Sequence, residues 1–363
     1  MTQSLPFSHV HIIGTGLLGT SIGLGLREQG VSVTLADQSP SRAALAAEYG
    51  AGVVSDAPTH CDLVVVATPP DVTASVVTEA LEAHPHAVVI DVASVKSAIL
   101  EAVAKSSRAT DRFLGTHPMA GRERGGPTQA RVDLFTGRPW VVCPTEDTPP
   151  EVVESVSQLI RGLGSSVHMM SPRDHDEAVA VVSHLPQLVS TTLAAQLRST
   201  PAEALALAGQ GLRDMTRIAS SDGDLWAQIL SHNAGVLRTH LARLRTDLDA
   251  VDRALEAAQS AGQQRGLVEA LQAGSEGASQ VPGKHGSSAR FATLTVIIDD
   301  TPGQLAALLT DVGQLQVNLE DMSLEHSPGA AVGFVSLAIV PEAAEQLASD
   351  LSERGWRIAG ESQ

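Results

Sequence analysis

The chain has 363 residues, more than one ordinary domain holds, and 41 Asp and Glu against 24 Lys and Arg leave a formal net charge of −17. That field repels a phosphate backbone and an anionic membrane surface, which argues against nucleic acid and membrane as partners. Hydrophobic residues at 43% suffice for packed cores built from Ala, Val and Leu, while aromatics at 2% leave few platforms on which bases could stack.

In chain order, short β-branched runs alternate with Ala-rich helical stretches up to about residue 170. The runs Val10 to Ile13, Val31 to Ala36, Leu63 to Ala67, Ala87 to Val92 and Trp140 to Cys143 are predominantly apolar, as strands of a parallel sheet covered on both faces must be. The first region, 1–170, is therefore expected to be a doubly wound α/β domain. At Ser171-Pro172 an N-cap followed by Pro opens a helical region, 171–262, with no strand signal. Its last element, starting near Asp224, carries Leu237, Leu241, Leu244, Leu248, Val251 and Leu255 at spacings of four and three, one apolar seam that must be buried, and a helix-mediated dimer is the favoured reading.

Between Gln263 and Arg290 the composition turns to Gly, Ser, Gln and Pro, which predicts a linker. Beyond it, Phe291 to Ile298 reads as strand, Gln304 to Val312 as helix, Leu319 to Glu325 and Val332 to Val340 as strands, Glu342 to Arg354 as helix and Trp356 to Ala359 as strand. That βαββαβ order over 291–363 is ferredoxin-like.

Cys61 and Cys143 are too few for a disulfide framework and are not spaced as zinc ligands. Met1 to Ser8 lacks the regions of a signal peptide, and no uninterrupted apolar run approaches membrane-spanning length, so a cytoplasmic protein is expected. The group His168, Asp174, His175 and Asp176 is read as acids favoured by a helix dipole, with no metal expected.

Gly14-Thr15-Gly16-Leu17-Leu18-Gly19 follows the first strand and opens a helix, the context in which GxGxxG binds a dinucleotide of the Rossmann type. Asp37 ends the second strand, where a carboxylate accepts ribose hydroxyls and repels a 2′-phosphate, so NAD is expected rather than NADP; Arg42 nearby weighs the other way. Polar clusters follow later strands, where α/β sheets bind ligands: Asp91-Val92-Ala93-Ser94-Val95-Lys96, and Gly115 to Glu123, with His117 between Gly and Pro in a loop at a strand end. Ser94 could alternatively cap the next helix, and Lys96 could be a solvated helix residue. Two further clusters, Ser183-His184-Leu185-Pro186 and Gly211 to Ala219 with Trp226 beyond, lie in the helical region.

On the His-Pro-Met-Ala-Gly-x-Glu run and the Arg-Asp-x-Thr-Arg-Ile-Ala run, the chain resembles the prephenate and arogenate dehydrogenases of tyrosine biosynthesis, and its tail resembles an ACT regulatory domain. The resemblance implies an NAD-dependent oxidative decarboxylation in which ring hydride leaves for NAD, the ring carboxylate departs as CO2, and aromatisation drives the reaction. It implies that His117 is the base at the 4-hydroxyl and that Ser94 orients it. It places His184 near the substrate's side chain or carboxylate, makes Arg217 a carboxylate clamp, and puts Asp214 and Glu123 among acids at the site mouth and Trp226 beside the pocket. In the tail, Asp300, Gly303, Asn318 and Leu319 match the place where ACT domains bind an amino acid, which makes tyrosine a candidate effector. Prephenate is the expected substrate, with arogenate as the alternative. A β-hydroxyacid dehydrogenase would need a lysine in the helical region, and Lys96, Lys105 and Lys284 are the only lysines. A non-enzymatic NAD or amino-acid sensor would have no use for His117, Ser94 and Arg217 together.

Overall fold

The computed structural model describes residues 5–55, 58, 60–121, 125–259, 263–281, 291–326 and 331–362. They form two compact units, Met1–Gln196 with Thr216–Leu244, and Leu197–Met215 with Arg245–Gln363. The first part of the helical region, up to Gln196, packs in one compact unit with the α/β sheet.

In the first unit eight strands form one sheet: β1 (His9–Ile13), β2 (Ser32–Ala36), β3 (Val53–Val54), β4 (Leu63–Val66), β5 (Val88–Asp91), β6 (Phe113–Pro118), β7 (Pro139–Cys143) and β8 (Ser166–Met169). Their order is β3-β2-β1-β4-β5-β6-β7-β8. The sheet is parallel through β6, but β7 runs antiparallel to β6 with His117 opposite Val141, and β8 is parallel to β7, so the sheet is mixed. The order in which strands are added reverses between the parallel neighbours β1 and β4, which opens a crevice beyond their carboxyl ends. Two cores cover the faces. Ile12, Ile22, Leu35, Ile90 and Trp140 fill one; Val64, Val66, Val77, Ile99 and Phe113 fill the other, which Ile229 and Trp226 of the helix Gly223–His232 also join.

The helical run from Pro172 starts as read from the sequence, with the Ser171 hydroxyl accepting from the Asp174 amide at 3.1 Å. It passes through a π turn at Ala180–His184, since Pro186 has no N–H to give to the turn before it. By length and composition Pro172–Ser199 could cross a membrane, yet it buries His175, Asp176, His184 and Gln187 and exposes Val181 and Val182.

In the second unit, the segment expected to be a linker contains a helix, Arg265–Ala278. Leu267, Val268, Leu271 and an Arg265–Glu269 ion pair one turn apart give it helical periodicity that the glycines masked. Gly266 lets it approach the helix Ala234–Ala258, where an added Cβ would stand 3.2 Å from that of Ala254. On the long helix Ala234–Ala258 Leu237 is buried, Leu241, Leu244 and Val251 are half-buried, and Leu248 and Leu255 are more than half exposed, so among the described residues the apolar seam is only partly covered.

The tail folds as β9 (Ala292–Asp299), a helix Gln304–Gln314, β10 (Asp321–His326), β11 (Val332–Ile339), a helix Pro341–Glu353 and β12 (Arg357–Ser362). Sheet order β10-β11-β9-β12, antiparallel throughout, is the ferredoxin-like arrangement expected from the element order. Its core holds Leu294, Val296, Leu308, Val335, Leu337 and Leu347.

Candidate active site

The glycine loop has the shape its sequence implies. Gly14 sits at φ +102°, and an added Cβ would meet the Ala67 carbonyl at 2.4 Å; one on Gly19 would meet the Gly14 carbonyl at 1.9 Å. Around Gly16 the space is open, so the backbone at the start of the helix Leu17–Glu28 can meet a pyrophosphate directly. Leu17 and Leu18 turn their side chains into the core and offer the ligand only backbone. Asp37 accepts from the Thr15 amide at 2.7 Å, the Thr15 hydroxyl at 2.9 Å and the Ser39 amide at 2.8 Å. The carboxylate is thus held beside the loop with one lone pair, on Oδ1, left for a ribose hydroxyl. These donors fit a dinucleotide, and NAD bound there would supply a hydride acceptor.

His117 lies within β6 rather than in a loop, and its ring is buried. Its Nδ1 stands 2.8 Å from Nε2 of His175, and Nδ1 of His175 stands 2.9 Å from Oδ1 of Asp176. The same Oδ1 accepts from the Lys96 amide at 2.9 Å and Oδ2 from the Ser97 amide at 2.9 Å, so Asp176 caps the helix Ser97–Ser106. Ser94 does not fill that capping role. It is half-buried in the turn after β5, and the inner nitrogen of His117 is given to His175 instead.

Electrostatics follow from burial. Desolvation holds the His117 imidazole well below its ordinary pKa, reinforced by His175, Lys96 and His184 and opposed by Asp176. Burial alone would raise Asp176, but hydrogen bonds from His175, Ser97 and the Lys96 amide hold it at about 2. His184 is brought down to about 4 by burial, against the pull of Asp176. Lys96 is fully buried and not a solvated helix residue; its ammonium pairs with Asp91, whose carboxyl burial pushes upward. Burial pushes the Cys61 and Cys143 thiols up to about 11 and about 12, which leaves no activated thiol here.

Asn233, at the break between two helices, donates to the Asp176 carbonyl at 2.8 Å and to Nδ1 of His184 at 3.2 Å. His184 in turn meets Trp226 edge-on, ring centroids 6.1 Å apart. Trp226 lines a cavity of 670 Å³ with Arg217, Gln187, Ser183 and Gly121, the last only four residues beyond His117. Arg217 stands in a short 3-10 turn, Arg217–Ser220, which the Gln187 side chain braces by donating to the Ile218 carbonyl at 3.0 Å. Asp214 is exposed on the helix Gln210–Thr216, in the second unit, and accepts from Gln210 at 2.7 Å. Glu123 lies outside the described residues.

The sequence reading missed His175, Asp176, Asn233 and the Lys96–Asp91 pair. In the sequence His175-Asp176 shows only as charge in a first helical turn, whereas the scarcity of lysine, three in the whole chain, is the signal that singles out Lys96. At the opposite ends of the strands, His9, His60 and Asp62 bring ligand atoms within 4.8 Å of one another, a grouping the spacing did not suggest.

Residues 22–169 match the family model for the prephenate dehydrogenase nucleotide-binding domain, and residues 171–273 match the prephenate dehydrogenase dimerization domain. Over 353 residues the chain is 33% identical to the probable prephenate dehydrogenase NovF of Streptomyces niveus, covering 95% of this chain and 98% of that one. A crystal structure of Synechocystis arogenate dehydrogenase superposes with a TM-score of 0.63 at 27% identity, over 74% of this chain and 99% of the other. The Aquifex aeolicus prephenate dehydrogenase, solved with hydroxyphenyl propionate and NAD+, gives 0.67 at 24% identity, over 76% and 100%. On these matches the chain belongs to the prephenate dehydrogenase family.

Proposed function

We propose that the protein is an NAD-dependent prephenate dehydrogenase, converting prephenate to 4-hydroxyphenylpyruvate and CO2 in tyrosine biosynthesis. The observation that carries this is His117: a buried imidazole held neutral at the end of β6, just before the segment that lines the 670 Å³ cavity with Arg217. A neutral ring can take the 4-hydroxyl proton as the ring carbon loses hydride, and can return it to the phenol oxygen once CO2 has left. Arg217 grips a substrate carboxylate through its planar fork, Trp226 packs along the ring, and His184 and Ser94 supply further polar contacts. Glu123 and Asp214 stand by resemblance as acids of the site mouth. Asp37 selects NAD through the ribose hydroxyls.

The functional protein is a cytoplasmic homodimer in this reading. The apolar seam left open on Ala234–Ala258 and the exposed Val181 and Val182 support it, as does the match to a dimerization domain. The tail is read as an ACT domain that binds tyrosine, supported by its ferredoxin-like order and by a cavity of 450 Å³ lined by Asp300 and Gly303; Asn318 and Leu319 are not among its lining residues.

Steady-state rates with prephenate and with arogenate, each with NAD and NADP, test the assignment. Prephenate with NAD is expected to give the highest kcat/KM; preference for arogenate makes the enzyme an arogenate dehydrogenase, and inactivity with both removes the reading. Tyrosine should lower the rate of the full chain.

A further inference from the structure

We infer that His175 and Asp176 are positioning residues that fix His117 as the tautomer whose Nε2 lone pair is free to take a proton. The inference rests on His117 being the base and adds two residues to that reading.

The assignment follows from counting protons. Asp176 is ionised and can only accept, so the 2.9 Å contact places a proton on Nδ1 of His175. A neutral imidazole carries one N–H, which leaves Nε2 of His175 as a lone pair. The 2.8 Å contact must then be donated by Nδ1 of His117, and the lone pair of His117 falls on Nε2, the nitrogen remote from the relay. For rings that each carry a single N–H, no other placement satisfies both contacts.

The relay is anchored so that it cannot turn. Asp176 receives amides of Lys96 and Ser97 at the start of one helix while standing in the first turns of another, so its carboxylate joins the turn after β5 to the helix Pro172–Val179. His184 is set the opposite way by the same residue. The Asp176 carbonyl can only accept, so it orients the Asn233 amide, whose second hydrogen goes to Nδ1 of His184 and leaves the His184 proton on Nε2. One histidine is thereby prepared to accept and the other to donate. The groups that bear on His117 are His175 and Asp176 from the helix, His184 from the π turn, and Lys96 with Asp91 from β5 and its turn.

The test uses the full-length enzyme with prephenate and NAD, the variants His117→Asn, His175→Ala, His175→Gln and Asp176→Asn, and 15N NMR of the histidine rings. His175→Ala is expected to lower kcat by about 100-fold, the lower end of what a positioned base contributes, with KM little changed. His175→Gln should recover part of it, because its amide oxygen can accept from Nδ1 of His117. Asp176→Asn should lower kcat and move the acid limb of the pH profile to lower pH, since the anion that favours imidazolium is gone. In the wild type, His117 should carry its proton on Nδ1.

Wild-type kcat and an unshifted acid limb in both His175 variants, with His117→Asn inactive, would overturn the inference and leave the assignment of the base intact. An active His117→Asn would overturn the base itself. If His175→Ala does not fold, the wild-type spectrum decides alone: a proton on Nε2 of His117 contradicts the relay.

Discussion

His117 and His175 meet edge to face, ring centroids 5.1 Å apart, although one belongs to an interior strand of the sheet and the other to the first turn of a helix 58 residues later. This contact ties the first helix of the helical region to the sheet within one compact unit. The polar centre of the site is shared between the sheet and the helix that follows it, and its hydrogen bonds bind the two together.

Acid should weaken the fold through His184. Its folded pKa of about 4 lies below the ordinary value of 6.5, so between these values the unfolded chain binds the proton more readily. Stability is therefore full above pH 6.5 and is lost as the pH falls towards 4, by on the order of 3 kcal/mol. Asp176 adds a loss in the same direction at lower pH, from its ordinary 3.8 down to about 2. Calorimetric melting as a function of pH should show the decline, and His184→Gln should flatten the part between 6.5 and 4.

Removing the Arg217 fork should act on binding more than on chemistry. Loss of a charge-assisted carboxylate contact costs about 1.5–3 kcal/mol, so Arg217→Ala is expected to raise KM for prephenate by roughly 10- to 100-fold. Arg217→Lys should recover only part, because an ammonium cannot make the paired contact. A KM unchanged in both variants would place the clamp elsewhere.

Lys96→Met should be costly to the fold. The ammonium and the Asp91 carboxylate are both fully buried, and Asp91 Oδ2 has no hydrogen-bond partner among the described residues. Breaking a buried pair from one side costs about 3–5 kcal/mol, whereas Lys96→Met combined with Asp91→Asn, which removes the stranded charge, should recover much of that loss. Urea unfolding of the single and double variants measures both.

Asp37→Ala should loosen the glycine loop and the ribose contact together, since the carboxylate holds both protons offered by Thr15. KM for NAD is expected to rise by about 10-fold, the loss of a charged hydrogen bond, with the preference over NADP reduced in the same variant. Equal losses with both coenzymes would mean that Asp37 only supports the loop.

Much of this architecture is legible in the amino-acid sequence. Strands β1, β2, β4, β5 and β7 lie in predominantly apolar runs, which buried parallel strands require, and every element of the tail lies within a few residues of its expected place. The strands that escaped have physical reasons. Val53–Val54 is two exposed residues at an edge, Ser166–Met169 is a short, mostly exposed edge strand that mixes polar and apolar residues, and Phe113–Pro118 includes the Gly, Thr, His and Pro of the site itself. The glycine loop, His117 and Arg217 could be found by motif because their chemistry is local. His175, Asp176 and Asn233 could not, because their roles arise only when a sheet and two helices bring them together.

The most direct test of the account is the stoichiometry of turnover in wild type and His117→Asn, with NADH and CO2 measured together from prephenate. The account predicts equal amounts of both from the wild type, and a kcat lower by about 100- to 10,000-fold in the variant, the range for losing a positioned base, while NAD binding is retained. A variant that turns over at the wild-type rate, or a wild type that reduces NAD without releasing CO2, would contradict it.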